Sequence, residues 1–195
     1  MLSKKYKIRG QRLSSVAAMT ENASATSAPV ATAPASGAHT TNGMPHGSTS
    51  LTPHVVVTPA GTAIEFYRDV FGARIVDVTR LPGSDLVAHA VLDFGTGMLT
   101  LSDPLESYGL AAPDPAKGVT YSLALYVPDT DEVTASAQAR GAVVREPPTT
   151  FVSGDRFASV LDPFGLRWSV MTRVADISPE ESARRVAAWA AAQQS

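Results

Sequence analysis

The sequence predicts an α+β protein of two βαβββ modules, whose curved mixed sheets surround a concave pocket, followed by a C-terminal helix. Two observations carry this. The succession strand, helix, three strands occurs twice, at an offset of 69 to 70 residues: Val57 matches Val127, Gly72 matches Gly141 and Thr100 matches Ser169. A curved sheet with one helix also cannot close a core alone, so each module needs the other.

Each element has a local reason. LTPHVVV from Leu51 reads as a strand. AGTAIEFYRDVFGA reads as a helix, because Ala63, Ile64, Tyr67, Val70 and Phe71 share one face and Gly72 supplies a left-handed C-terminal cap. Three strands follow, ARIVDVTR, LVAHAVLDF and GMLTLSD, separated by turns at Pro82-Gly83-Ser84 and Gly95-Thr96-Gly97. The plan then returns with the strand VTYSLALYV and the helix DTDEVTASAQARGA. In that helix Asp129 is the N-cap, Glu132 completes a capping box and Gly141 ends it. AVVRE, DRFASVLD and LRWSVMT are the closing strands. The modules thus span 50–105 and 118–173 of a domain covering 50–175. A last helix over 177–195 opens on Ser178-Pro179-Glu180-Glu181, an N-cap followed by proline at N1 and glutamate at N3. Val186 and Trp189 give it an apolar stripe that must dock on the domain or on a second chain.

Residues 1–49 read as a disordered extension. From 20 to 50 the chain is almost entirely Ala, Ser, Thr, Pro, Gly and Asn without hydrophobic period, too little apolar surface to offset its ordering entropy. Leu13 to Met19 is too short and polar for the apolar part of a secretion signal, so the expectation is a start at Met19 and a cytoplasmic protein. No run of eighteen apolar residues crosses a membrane. The absence of cysteine excludes disulfides, thiolate zinc sites and cysteine nucleophiles. Net charge is −2, divided as +4 up to Gly47 and −6 beyond it, which gives no footprint for nucleic acid and modestly favours a cationic ligand. The sequence contains no G-x-S-x-G elbow, phosphate-binding Gly-Lys loop, dinucleotide glycine fingerprint or H-E-x-x-H.

Side chains alternate across a strand, so each strand divides into two faces. Val55, Val57, Leu99, Leu101, Leu123, Leu125, Val127, Trp168 and Val170 form a purely apolar face that should pack under the helices. Opposite lie Thr52, His54 and Val56, then Met98, Thr100 and Ser102. The second module adds Ser122, Ala124 and Tyr126, then Arg167, Ser169 and Met171. Apolar walls with a few polar groups are the composition of a ligand pocket. His54 is the candidate general base or hydrogen-bonding group, and Arg167 the candidate clamp for an anion. Arg156 is expected to pair with Asp155 or Asp162. Asp162-Pro163-Phe164-Gly165 is read as a β-turn.

The paired repeat, with H-V-V-V and A-I-E-F-Y-R-D-V-F-G-A in the first half and D-P-F-G-L-R-W in the second, resembles the vicinal oxygen chelate superfamily of glyoxalases, bleomycin-resistance proteins and dioxygenases. Thr52-Pro53-His54, Leu101-Ser102-Asp103, Gly154-Asp155-Arg156 and the DPFG turn resemble its PhnB-like branch most. The resemblance covers Leu51 to about Thr172. It implies a concave site in each half, often completed within a homodimer, and in catalytic members one divalent metal held by four ligands, commonly His, Glu, His and Glu. Carried onto this sequence those positions fall on Thr52, Thr100, Ser122 and Ser169, all small hydroxyls and poor ligands beside imidazole or carboxylate.

The expected function is therefore metal-free and cofactor-free binding, with sequestration, of a small, partly aromatic or cationic molecule by a homodimer. The ligand would meet Thr52, His54, Thr100, Ser102, Ser122, Tyr126, Arg167, Ser169 and Met171. The alternatives are a metal-dependent glyoxalase-like lyase, isomerase or dioxygenase, and a scaffold that binds another protein.

Overall fold

The computed structural model describes residues 33–114 and 116–193. The described residues divide into two units, one ending at His46 and the other beginning at Gly47. Most of the extension expected over 1–49 lies outside the described residues. Its described part contains a small hairpin, β1 (Thr40–Thr41) antiparallel to β2 (Met44–Pro45). The hairpin turns on Asn42 and Gly43, at φ 49° and 81°, the two positive dihedrals that a two-residue hairpin turn needs and that Asn-Gly supplies cheaply.

The second unit holds the duplicated plan. β3 (His54–Val56), α1 (Ala60–Phe71), β4 (Arg74–Arg80), β5 (Val87–Asp93) and β6 (Met98–Ser102) form the first module. β7 (Leu123–Tyr126), α2 (Thr130–Ala139), β8 (Val143–Thr150), β9 (Asp155–Leu161) and β10 (Arg167–Arg173) form the second, and α3 (Pro179–Ala192) follows. The sheets run β3-β6-β5-β4 and β7-β10-β9-β8, so in each the first strand pairs in parallel with the last and the remaining pairs are antiparallel. Register shifts on the outer strands, at Ile75/Asp77 in β4 and at Val144/Glu146 and Glu146/Thr149 in β8, add local twist at the sheet edges.

The caps follow the residue chemistry. Asp129 Oδ1 accepts from the Asp131 and Glu132 amides at 2.9 and 3.0 Å, and Ser178 Oγ accepts from the Glu181 amide at 3.2 Å. Pro59, ahead of α1, offers no side-chain cap. Instead Asp103, beyond β6, accepts from the Ala60 amide at 3.0 Å with one oxygen and from the Val87 amide at 2.8 Å with the other. Gly72 takes the left-handed conformation, φ 71°, that closes α1.

The expected apolar face is the buried one: Val55, Val57, Leu99, Leu101, Trp168 and Val170 are buried and Leu123, Leu125 and Val127 are half-buried. α1 lies at the junction of the modules. Besides its own sheet it meets the second module's turn: the Tyr67 hydroxyl donates to Asp162 Oδ2 at 2.8 Å, and the Phe71 ring lies 4.6 Å from that of Trp168. Trp168 Nε1 donates to the same Asp162 oxygen at 2.9 Å, while Asp162 Oδ1 accepts from the Phe164 and Leu166 amides, both at 2.9 Å. Burial raises the Asp162 carboxyl above its ordinary value, and these donors pull against it. Arg156 does not take either expected partner. It crosses to the start of α2 and pairs with Asp131, because β9 runs under the N-terminus of that helix.

Candidate ligand site

The two outer faces differ. In the first module His54 sits opposite Thr100 in the β3/β6 register, with its Nδ1 3.0 Å from Thr100 Oγ1 and its Nε2 3.3 Å from Ser102 Oγ. Ser102 is fully buried, its hydroxyl turned to the imidazole rather than to an open pocket. His89 on β5 stacks parallel to His54 at 6.0 Å between ring centroids. Partial burial, and secondarily this second imidazole, hold His54 below its ordinary pKa, so it is a neutral hydrogen-bonding group near pH 7. In the second module the residue opposite Ser169 is Ala124, so the repeat supplies no counterpart to His54.

The four positions that the family likeness marks for a metal are engaged with the protein itself. Thr52 Oγ1 lies 2.8 Å from Thr49 Oγ1, Thr100 Oγ1 donates to the Pro53 carbonyl at 3.2 Å, and Ser122 and Ser169 hydroxyls meet at 3.0 Å. Neutral hydroxyls so paired do not fit a divalent ion. Among the described residues no three His, Asp or Glu side chains form a group able to hold a metal.

The second face carries a cavity of about 550 Å³. Phe157 on β9, its register partner Met171 on β10, and Phe151 after β8 supply apolar walls. Glu146 and Asp155 put two carboxylates in the lining, with Pro147, Thr149 and Ser153 between them. Each acid is held in place. Arg167 pairs with Glu146 at 2.6 Å and donates through Nε to Ser159 at 2.9 Å. Arg173 pairs with Asp155 at 2.9 Å, Ser153 Oγ donates to Asp155 at 2.9 Å, and the Tyr126 hydroxyl reaches it at 3.3 Å. Neither arginine is among the lining residues, but each is ion-paired with a lining carboxylate, so the wall combines aromatic surface with two carboxylates that already have cationic partners.

Of the residues expected to meet a ligand, Met171 lines this cavity, while Tyr126 and Arg167 reach its carboxylates. His54, Thr100 and Ser102 belong to the other sheet, Thr52 lies outside it, two residues ahead of β3, and Ser122 and Ser169 satisfy each other. Phe157, Phe151 and Glu146 carry no mark in the sequence reading, and Asp155 enters it only in the Gly154-Asp155-Arg156 motif and as a partner for Arg156. The alternation Asp155, Phe157, Ser159 against Arg156, Ala158, Val160 was available for β9. In β8 the register shifts break the period, so no such signal exists for Glu146.

A profile of the Glyoxalase/Bleomycin resistance protein/Dioxygenase superfamily matches residues 39–170. The chain belongs to that superfamily. It is 34% identical over 136 residues to an uncharacterized protein of Mycobacterium bovis and to one of Mycobacterium tuberculosis H37Rv, over 68% of this chain and 88% and 79% of theirs. Solved structures share the superfamily fold. A protein of Pseudomonas aeruginosa aligns with TM-score 0.52 at 21% identity, over 65% of this chain and 98% of that one. TioX from Micromonospora sp. ML1 aligns with TM-score 0.51 at 24% identity, over 65% and 99%. A gene product of Arabidopsis thaliana aligns with TM-score 0.51 at 25% identity, over 63% and 97%. Among the described residues no helix is long and apolar enough to cross a membrane.

Proposed function

We propose that this superfamily member is a metal-free binding protein that sequesters a small, cationic, partly aromatic molecule, as a cytoplasmic homodimer of the PhnB-like kind. The observation that carries the reading is the second module's cavity: about 550 Å³, within the size range of small-molecule sites, walled by Phe151, Phe157 and Met171 and bearing Glu146 and Asp155. A planar cation would stack on the rings and exchange with Arg173 at Asp155, the aromatic contact adding to the charge pair. The paired hydroxyls at Thr52, Thr100, Ser122 and Ser169 favour binding over a metal-dependent lyase, isomerase or dioxygenase, since neutral oxygens are a poor donor set.

The test uses the full chain and thioflavin T, a cationic aromatic dye that fluoresces when immobilised. Saturable binding at one site per chain is expected, with a rise in melting temperature. Asp155→Asn and Phe157→Ala should each weaken it roughly tenfold, the loss expected for a charged hydrogen bond or a stacked ring. Titration with Zn²⁺, Ni²⁺, Mn²⁺ or Fe²⁺ should leave the melting temperature unchanged. Dye binding that ignores both substitutions would remove the cavity from the argument. Stoichiometric metal with clear stabilisation would overturn the metal-free reading and make His54 the first ligand to replace.

A further inference from the structure

We infer that the C-terminal helix is a positioning element for the cavity: α3 clamps the 151–155 turn from outside and thereby sets the wall that a ligand meets. This rests on the cavity being the ligand site. Two lining residues, Phe151 and Ser153, lie on the tight turn between β8 and β9, and a third, Asp155, closes that turn as the first residue of β9. The turn is closed by the Phe151 amide donating to the Asp155 carbonyl at 2.8 Å and the Gly154 amide donating to the Phe151 carbonyl at 3.1 Å.

The tail holds the same turn at several points. The Trp189 ring meets the Phe151 ring edge to face at 5.0 Å, and Ser182 Oγ donates to the Ser153 carbonyl at 2.9 Å. The Val174 and Ala175 amides, on the segment leading into α3, donate to the Gly154 carbonyl at 2.9 and 3.1 Å. Gly154 adopts φ +88°, and a Cβ there would come within 3.1 Å of Ile177 Cδ1 and 3.3 Å of Ala175 Cβ, so the tail lies directly on the turn. Phe151 is therefore shared, contributing to the cavity and meeting α3 through Trp189.

Core formation does not account for these contacts. α3 has no buried residue, and Trp189 remains 43% exposed. α3 also lies beyond residue 170, where the superfamily match ends. A connection with few buried contacts opens locally at low cost, and a ligand that binds an open wall must order it on binding. α3 removes that need by holding Phe151, Ser153 and Asp155 in place beforehand. Trp189 and Ser182 are its positioning residues.

The experiment compares the full chain with Trp189→Ala, Trp189→Phe and Ser182→Ala, reading thioflavin T affinity and hydrogen exchange of the Phe151 and Gly154 amides. Trp189→Ala should speed exchange at both amides at least fivefold and weaken dye binding five- to tenfold. Exchange in β5 and β6 should stay unchanged, which separates a loosened turn from a loosened fold. Trp189→Phe should restore both readouts, because a ring can still meet Phe151 edge to face. Ser182→Ala should give a smaller change of the same sign. Unchanged exchange at Phe151 and Gly154 in both Trp189→Ala and Ser182→Ala would overturn the inference, whatever the dye does. If the unsubstituted protein fails to bind the dye, the cationic-ligand reading falls and exchange alone decides the role of α3.

Discussion

The two modules share a strand order and use it differently. α1 buries Ala60, Ala63, Ile64, Phe66, Tyr67, Val70 and Phe71, whereas α2 buries Thr130, Thr134 and Ala137. At the repeat offset Ile64 corresponds to Thr134 and Tyr67 to Ala137, so large apolar groups in one helix become small or polar in the other. The outer faces show the reverse. His54, Thr100 and Ser102 close upon one another, while the second sheet opens a cavity between Phe157, Met171 and the 151–155 turn. The duplicated frame has divided its work: the first module carries the dense packing that joins the halves, and the second carries the recessed surface. Tight packing and an open wall make opposite demands on side-chain size.

Substitutions at the join test this division most severely. Asp162→Ala removes the acceptor for Tyr67, Trp168, Phe164 and Leu166, leaving several buried donors unpaired, and should cost about 4 kcal/mol in urea unfolding. A loss below about 1 kcal/mol would mean that the aromatic contacts alone hold the modules together. Thr134→Val tests the lighter helix. Among the described residues the buried Thr134 hydroxyl has no hydrogen-bond partner, so an isosteric methyl should stabilise by about 1 kcal/mol and raise the melting temperature by a few degrees. A destabilised variant would show that the hydroxyl finds a partner, such as water, in solution.

The smallest effect belongs to the first module's outer face. By NMR His54 should titrate below the ordinary value of 6.5, and His89→Ala should raise its midpoint only part of the way, since burial is the larger cause. A lowered pKa means that the folded state binds the proton less readily than the unfolded one. This contribution to stability therefore declines as pH falls from 6.5 through the folded midpoint, and is flat below it. A midpoint at or above 6.5 would show that His54 is solvated and that His89 lies elsewhere.

Local signals determine most of the fold, although the strands expected from Leu51 and Val119 begin only at His54 and Leu123. Alternation separated Val55, Leu101 and Val170 from His54, Thr100 and Met171, and the 3.6-residue period together with Asp129, Ser178 and Gly72 marked the helices and their ends. The short Asn42-Gly43 turn was available too, but the surrounding Ala, Ser and Thr composition outweighed a two-residue signal. The site was less accessible. The Arg167 bond to Glu146 spans 21 residues, and the Tyr126 bond to Asp155 spans 29. Neither distance leaves a trace in any window of sequence.

Strand and helix identity, the duplication and the apolar face follow from the chain alone, because period, capping chemistry and repeat offset are properties of neighbouring residues. Which outer face opens, which acids line it, and that Trp189 reaches Phe151 depend on strand pairing, on the displaced register of β8 and on where the tail docks. Those are settled by packing between distant segments, where one residue of register moves a side chain from one face of a sheet to the other.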